Sequence, residues 1–519
     1  MAETKKEIAQ SPDVEVGVGY NRPLGFADLA PAGVDLEKAR KSKALHFLAS
    51  HQHEIDLDSP EAKRVLRKID MRIMPLVLGI YVLQLLDKNS LSFAAIMGIR
   101  PDTRLTEDQY DWLGSIVYFG YLFGEIPAAF LMQRFPLARY LGAMSMLWGI
   151  IVAMHAACHD FAGLAVVRFL LGAIEVCTTP AIIYITSSWY TRSEQVTRVA
   201  MWYSTSGWAQ VLGGFFAWAI NQADRFRWQG LFIFYGGITF VTGMILWFFL
   251  AASPIDASWL TDDEKAIALE RVRGNKTGTE MWGFNWDQLK ESLCDIRLYL
   301  VFLMTCSTGL PNGGLTAFGP TIISGFGYGT NTTTLLSMAP GACAVAGTIV
   351  ALVVAKYTNR NICGIYVMVL GCIGVIMMLT IPEENITARY GGYILTMQYP
   401  ICILSILAFI TSGVGGSTKK LAFGASYQLG YAVGNISGPQ TFRGHEAPHY
   451  YTAKYTMLAF LAFTIILFAC FGLLHWYWNY KRDKQDSLDS QNGVVHQHVA
   501  NEEFADLTDF QIRSFRYPL

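Results

Sequence analysis

Twelve long apolar runs are the feature that most constrains what this chain can fold into. Crossing about 30 Å of hydrocarbon takes roughly 20 residues of α-helix, and runs of that length form two groups of six. The runs lie at about 73–99, 112–133, 138–157, 161–189, 197–220 and 229–251, and then at about 297–324, 333–354, 361–381, 391–414, 421–441 and 453–479. Because backbone groups in lipid must be satisfied internally, these runs predict an all-α membrane protein with twelve transmembrane helices in two six-helix bundles.

The composition agrees with a membrane protein rather than with a soluble enzyme. Charged residues make up only 16% of the chain, against about 25% in an ordinary soluble protein. No Walker A sequence is present, so an ATP-driven pump has no support. The sequence also contains no nucleophile–base arrangement and no metal-ligand spacing, and we expect neither enzymatic activity nor a metal or other cofactor. The net charge of −1 gives no indication of nucleic-acid binding, and the expected surroundings are a lipid bilayer.

Polar stretches divide the chain into five predicted segments. They are a disordered cytosolic N-terminus (1–58), a first six-helix bundle (59–251), a cytosolic linker (252–296), a second six-helix bundle (297–480) and a cytosolic C-terminal tail (481–519). In the linker, the capping-box pattern Thr261-Asp262-Asp263-Glu264 predicts the start of a charged helix. Ser59-Pro60-Glu61 likewise predicts the start of a basic helix that enters the membrane at Met71.

Basic residues are concentrated on one side of the predicted membrane. Sixteen lysines and arginines fall in the short segments of that side, whereas seven fall in the loops of the other. Because basic residues are retained in the cytosol, the side with sixteen is the cytosolic side, and both termini are expected there. The sequon Asn385-Ile386-Thr387 then lies in an outer loop, which makes Asn385 a candidate glycosylation site.

Ionisable residues within the spans are confined to the first half of the chain. They are Asp87 and Lys88 in span 1, Glu125 in span 2, and Arg168 and Glu175 in span 4. Each costs at least ~2.5–3.5 kcal/mol to insert, so such residues normally face a cavity. The three carboxylates lie 13 or 14 residues from their predicted membrane entries, roughly 20 Å, which predicts that they converge near the midplane. The alternative for any one of them is a structural ion pair.

The second half offers uncharged polar residues instead. Asn312 lies in Pro311-Asn312-Gly313-Gly314, which we expect to break span 7 and expose backbone groups to a central cavity. Gln428 and Asn435 lie in span 11. A pocket with fixed cations on one wall and neutral hydrogen-bonding groups on the other suits a small polar anion.

Several of these motifs resemble one family. Leu86-Asp87-Lys88-Asn89-Ser90-Leu91-Ser92, the stretch from Arg168 to Glu175, and the stretch from Pro311 to Thr316 resemble the fungal allantoate permease group. That group belongs to the anion:cation symporter family of the major facilitator superfamily. Gly434-Asn435 with Gly438-Pro439-Gln440, and the segment 501–509, continue the resemblance, which covers about residues 60 to 517.

The resemblance implies the major facilitator fold and proton-coupled uptake of a small organic anion, such as allantoate, nicotinate or another carboxylate or vitamin. In related symporters, the positions of Asp87, Lys88, Arg168 and Glu175 serve proton coupling and anion binding. We therefore expect proton coupling by Asp87, Glu175 and Glu125, and substrate binding by Lys88, Arg168, Asn312, Gln428 and Asn435. The coupling ion is expected to be a proton or another cation, and the protein is expected to be a plasma-membrane monomer.

Two other functions are compatible with the same fold. A proton-antiport exporter of secondary metabolites or drugs would carry bulky apolar compounds outward. A nutrient sensor would bind a carboxylate without transporting it, although the predicted C-terminal tail of about 40 residues is short for a signalling extension.

Overall fold

A computed structural model describes residues 59–223, 227–273, 285–491, 508–512 and 515–518. The predicted disordered segment 1–58 and most of the motif 501–509 lie outside the described residues. Within the described ranges the regular structure is helical, and twelve helical spans, numbered α1–α12 below, make up the two bundles.

The first bundle contains α1 to α6. Their bounds are Pro60–Ile96 (α1), Glu107–Arg134 (α2), Leu137–Met154 (α3), Phe161–Glu175 continued by Thr178–Trp189 (α4), Arg192–Asn221 (α5) and Arg227–Phe249 (α6). The second bundle contains α7 to α12. Their bounds are Ile296–Ser324 (α7), Thr330–Leu336 continued by Met338–Tyr357 (α8), Arg360–Thr380 (α9), Ile386–Thr396 and Cys402–Gly413 (α10), Ser417–Ser437 (α11) and Tyr451–Gln491 (α12).

Length and apolarity alone identify nine of these helices as able to cross a membrane, or ten when α7 is counted with the helix before it, among the described residues. The other two, α5 and α11, are long enough, with 30 and 21 residues, but are less apolar. Both helices face the opposite bundle, because α5 packs against α8 and α11 packs against α2. Their polar residues therefore lie where the protein interior, rather than lipid, surrounds them.

Capping side chains fix several helix starts that the sequence predicts. Ser59 accepts a hydrogen bond from the backbone N–H of Ala62 at the start of α1. In the linker, Thr261 and Glu264 form the reciprocal capping box that opens the helix Asp262–Arg273. Both predicted helix starts are confirmed, since each side chain satisfies a backbone donor that has no partner within its helix.

The two bundles repeat one packing scheme. In the first bundle α1 packs on α5, α2 on α4, and α3 on α6; in the second, α7 packs on α11, α8 on α10, and α9 on α12. The bundles meet through α1·α7, α2·α11 and α5·α8. Each contact thus has a counterpart six helices later, as the six-plus-six pattern of apolar runs suggests.

Hydrogen bonds join the bundles toward the predicted outer side. Tyr110 donates its hydroxyl to the carbonyl of Ala317 (2.8 Å), and Ser115 donates to the carbonyl of Ile436 (2.7 Å). Asn221, at the outer end of α5, donates to Asn331 at the start of α8 (2.7 Å). These contacts hold the outer ends of the bundles together.

The predicted break in span 7 is wrong. The helix α7 continues from Ile296 through Pro311 to Ser324, and the sharp bend of 68° lies where it meets the linker helix Trp286–Cys294. Transmembrane helices tolerate proline when neighbouring helices stabilise them. Here a Cβ at Gly313 would collide with the backbone of Asn435 on α11, so the glycine serves close helix packing.

Candidate binding site between the two bundles

A small cavity lies where α1, α2, α4 and α7 meet. Its walls are Asp87, Lys88 and Leu91 from α1, Gly114, Val117 and Tyr118 from α2, Arg168, Leu171 and Glu175 from α4, and Gly313, Thr316 and Ala317 from α7. The space open to the centre of a water molecule is about 20 Å³, enough for roughly one water. Four of the five ionisable residues predicted to face a cavity therefore face this one, and a larger ligand needs the walls to separate.

Asp87 is held in place by a hydrogen-bonding tryptophan. The carboxylate is 1% exposed, and its Oδ2 accepts a hydrogen bond from the indole N–H of Trp148 on α3 (3.0 Å). Its Oδ1 accepts a longer bond from Ser90 (3.4 Å). The sequence gives no signal for Trp148, because an aromatic residue in an apolar run has the same pattern whether it packs in the core or donates to a carboxylate.

Glu175 contacts both a cation and a hydroxyl. Its Oε1 lies 3.7 Å from Nζ of Lys88 and accepts a hydrogen bond from the hydroxyl of Tyr121 (2.5 Å). Tyr121 in turn accepts a bond from the amide of Gln84 (3.3 Å), which accepts one from Thr179 (3.4 Å). The other oxygen of Glu175, Oε2, is buried and has no hydrogen-bond partner among the described residues.

Close packing of α2 on α4 brings Tyr121 to Glu175. A Cβ at Gly172 would collide with the carbonyl of Val117, and a Cβ at Gly120 would collide with the carbonyl of Phe169. The two backbones approach this closely only because neither glycine has a side chain.

Arg168 is a buried cation with no salt bridge shorter than 4 Å to any described carboxylate. It is 3% exposed, and neither Nε nor Nη2 has a hydrogen-bond partner in the described part of the chain. The ring centroid of Phe232 lies 6.0 Å from its Cζ atom. Seven residues, or two helical turns, separate Arg168 from Glu175, which places the two about 10 Å apart along α4. A buried guanidinium with free donors is costly, and an anionic ligand would satisfy it.

The facing groups of the second bundle are neutral and bond to one another. Asn312 donates to Asn435 (2.7 Å) and to the hydroxyl of Tyr431 (2.9 Å), and accepts a long bond from Tyr399 (3.4 Å). The ring of Tyr431 packs edge-on against Tyr118 of the first bundle, with 6.4 Å between centroids. Asn312 and Asn435 are thus brought together across α7 and α11, but neither lines the cavity, and their role as a polar wall stays a prediction.

Four predicted site residues, Glu125, Gln428, Asn312 and Asn435, do not line the cavity. Glu125 on α2 is the one carboxylate among them. The predicted convergence of three carboxylates is therefore wrong for Glu125. Gln428 lies half-buried on α11, two turns from Asn435 toward the predicted cytosolic side, and does not line the cavity either.

Asn385 lies at an exposed helix start. It is the N-cap of the first segment of α10, and its side-chain oxygen accepts a hydrogen bond from the backbone N–H of Ala388 (3.3 Å). Its glycosylation stays a prediction.

The chain belongs to the major facilitator superfamily, whose family model matches residues 77–439. The family, together with the related transporters and the solved structure described next, identifies the chain as a secondary transporter and not an enzyme.

Fungal transporters are similar to it over nearly their whole length. An uncharacterized transporter of Schizosaccharomyces pombe is 33% identical over 512 residues, which cover 98% of this chain and 96% of the relative. The allantoate permease of Saccharomyces cerevisiae is 32% identical over 514 residues, which cover 96% of this chain and 94% of the relative. These similarities confirm the predicted relationship to the fungal permeases.

The xylose transporter XylE from E. coli, solved in a partially occluded inward open conformation, superposes with a TM-score of 0.58. The superposition covers 76% of this chain and 97% of that chain at 12% identity, so it shows the shared twelve-helix fold alone.

Proposed function

We propose that this protein carries a small organic anion into the cell together with protons. The observation that carries the proposal is the buried guanidinium of Arg168, whose Nε and Nη2 have no hydrogen-bond partner among the described residues and which lines the same cavity as two carboxylates. Arg168 with Lys88 would bind the substrate carboxylate, and Glu175 with Asp87 would bind the protons. Asn312 and Asn435 would bind neutral groups of the substrate.

Charge balance explains why binding of the two solutes would be coupled. In the structure Lys88 lies beside Glu175, while Arg168 has no carboxylate within 4 Å among the described residues. A proton on Glu175 removes the partner of Lys88, which can then join Arg168 in binding an anion. With a proton and an anion both bound, the cavity carries little net charge, and the bundles can move past one another without burying an unpaired charge.

The similarity to a yeast allantoate permease supports a small carboxylate as the substrate class. The bias of basic residues supports cytosolic termini, and we place the protein in the plasma membrane as a monomer. In this orientation protons enter from outside and are released to the more alkaline cytosol.

The test is transport in liposomes by purified protein and by Glu175→Gln. Wild-type protein is expected to accumulate a labelled carboxylate when the outside is acidic. Glu175→Gln is expected to lose this accumulation but keep exchange of substrate across the membrane, because exchange needs binding without proton release. Lys88→Ala is expected to lose both activities, since it removes one partner of the anion.

The matched control is Glu61→Gln, which removes an exposed carboxylate in the first turn of α1 and should change nothing. Full pH-driven accumulation by both Glu175→Gln and Asp87→Asn would contradict the coupling mechanism and leave these residues as structural ion-pair members. Carboxylate binding without transport under any gradient would instead identify a sensor, and outward flux of bulky apolar compounds an exporter.

A further inference from the structure

A segment near the end of the chain packs on the second bundle, far from the cavity. This tail segment, defined as residues 508–512 and 515–518, lies against the predicted cytosolic starts of α7 and α11 and the extension of α12. Thr508 and Asp509 are fully buried and Tyr517 is 2% exposed, so the segment belongs to the interior.

Asp509 completes a buried ionic cluster. One of its oxygens lies 2.5 Å from Nη2 of Arg297, at the start of α7, and the other lies 3.0 Å from Nζ of Lys419, at the start of α11. Asp295 also contacts both cations, at 2.6 Å and 3.1 Å. The backbone N–H of Gly415 (3.1 Å) and the hydroxyl of Tyr517 (2.9 Å) donate to Asp509 as well. The carboxylate thus has four donors.

Helix α12 binds the backbone of the same segment. Arg482 donates to the carbonyls of Asp509 (2.9 Å) and Ile512 (3.3 Å). Asn479 and Tyr517 exchange two hydrogen bonds of 2.8 Å between side chain and backbone. Because both backbone groups of Tyr517 bond to one side chain, these hydrogen bonds fix the position of the tail segment along α12.

The cluster also holds the loop between α10 and α11. Arg297 donates to the carbonyl of Gly413 (2.9 Å), and Gly415 donates to Asp509. Gly416 follows with φ of +85°, a conformation that other residues rarely adopt. The loop joins α10 and α11. These two spans contribute Tyr399 and Asn435, which both hydrogen-bond to Asn312.

We propose that the predicted cytosolic end of the second bundle is a binding site for an acidic and aromatic peptide segment. The chain's own tail segment occupies this site, and its binding fixes the loop 413–416. The inner ends of α10 and α11 then move together with α7 and α12.

The charge of Asp509 makes this docking insensitive to cytosolic pH. Burial alone would raise the pKa of Asp509, but Arg297 and Lys419 hold it below its usual value. Since this carboxyl has a lowered pKa in the folded protein, its contribution is present above the pKa of the unfolded chain and is lost only in acid. The other ionisable groups facing it are Asp295, the Tyr517 hydroxyl and His475 of α12, whose Nδ1 lies 2.8 Å from the carbonyl oxygen of Pro518. Arg482 binds the backbone carbonyl of Asp509, and Glu291 pairs with Lys419.

The test compares the thermal unfolding and amide hydrogen exchange of three proteins. They are the wild-type protein, a shortened protein without residues 508–519, and full-length Asp509→Asn. Deletion of residues 508–519 and Asp509→Asn should each lower the unfolding midpoint by several degrees. Exchange of the amides in 413–420 should become roughly tenfold faster or more, because a bond to a charged acceptor is lost. A synthetic peptide of residues 505–519 should restore both properties to the shortened protein, whereas the peptide with Asp509→Asn should not.

Asp483→Asn is the matched control. Asp483 also pairs with the tail, at 2.8 Å from Nε of Arg516, but its side chain is 65% exposed, and such surface pairs contribute little. If the shortened protein does not fold, the comparison of Asp509→Asn with Asp483→Asn remains. Equal midpoints and equal exchange for these two variants, or equal rescue by both peptides, would overturn the proposal.

Discussion

The two bundles that meet at the cavity have the same helix arrangement, but the polar residues that they bring near it differ in chemistry. On the first bundle Arg168 and Glu175 each have buried atoms without a hydrogen-bond partner in the part of the chain that the structure describes. On the second bundle Asn312 and Asn435 satisfy one another and Tyr431. Arg168 and Glu175 therefore have polar atoms that a ligand could bind, whereas Asn312 and Asn435 are already hydrogen-bonded within the second bundle.

This difference shows that two bundles with the same helix packing can have different roles in ligand binding. Because each bundle packs its own helices in the same way, the positions that face the other bundle are equivalent in geometry and free to differ in chemistry. We expect the first bundle to determine whether an anion binds, and the second to determine which anion is preferred. Three substitutions test this expectation, in order of decreasing effect.

The largest effect is expected for Arg168→Ala. This substitution removes the buried guanidinium that lines the cavity, and binding and uptake of any carboxylate should fall below detection. Arg168→Lys should restore only part of the affinity, since a lysine keeps the charge but not the planar fork of donors. Ligand-dependent thermal stabilisation measures both variants, and Arg134→Ala, at an exposed position on α2, is the control. Wild-type affinity in Arg168→Ala would show that the charged wall does not bind the anion.

An intermediate effect is expected for Asn435→Ala. It leaves Asn312 without one of its acceptors, and loss of one such interaction of about 1.4 kcal/mol corresponds to roughly tenfold in affinity. Competition assays with carboxylates that differ in their neutral groups should show altered preference, with the pH dependence of accumulation unchanged. An equal loss of affinity for all the carboxylates would instead indicate that Asn312 and Asn435 do not discriminate among them.

The smallest effect is expected for Glu125→Gln. Because Glu125 does not line the cavity, proton-driven accumulation should stay within about twofold of wild type, which corresponds to less than half a kcal/mol. Parallel measurement of Glu175→Gln gives the contrast between a carboxylate inside the cavity and one outside it. Loss of coupling in Glu125→Gln would place a second proton site below the cavity.

The fold could be predicted from sequence because apolar length and basic-residue bias are local patterns. Asp87, Lys88, Arg168 and Glu175 could be found in the same way, since charges within apolar runs are conspicuous. Which of them face the cavity was harder to predict, since Glu125 also lies in an apolar run but does not line the cavity.

The partners of these charges could not be predicted. Tyr121 and Trp148 look like ordinary apolar-run aromatics, and only the packing of α2 and α3 against their neighbours brings them to Glu175 and Asp87. The cluster around Asp509 joins residues 212 positions apart, beyond the reach of any periodic pattern. The effect of Pro311 also depends on packing, because α11 stabilises the helix that the proline alone would interrupt.

Gly172 gives the site a mutational sensitivity that its own chemistry would not suggest. It carries no functional group, yet it lies between Arg168 and Glu175 on α4, where a single methyl group would collide with the carbonyl of Val117. Any larger residue must push α2 outward and draw the hydroxyl of Tyr121 away from Glu175. Natural variation at position 172 should therefore be as restricted as at the charged positions, and adaptation to new substrates should proceed through residues that leave this spacing intact.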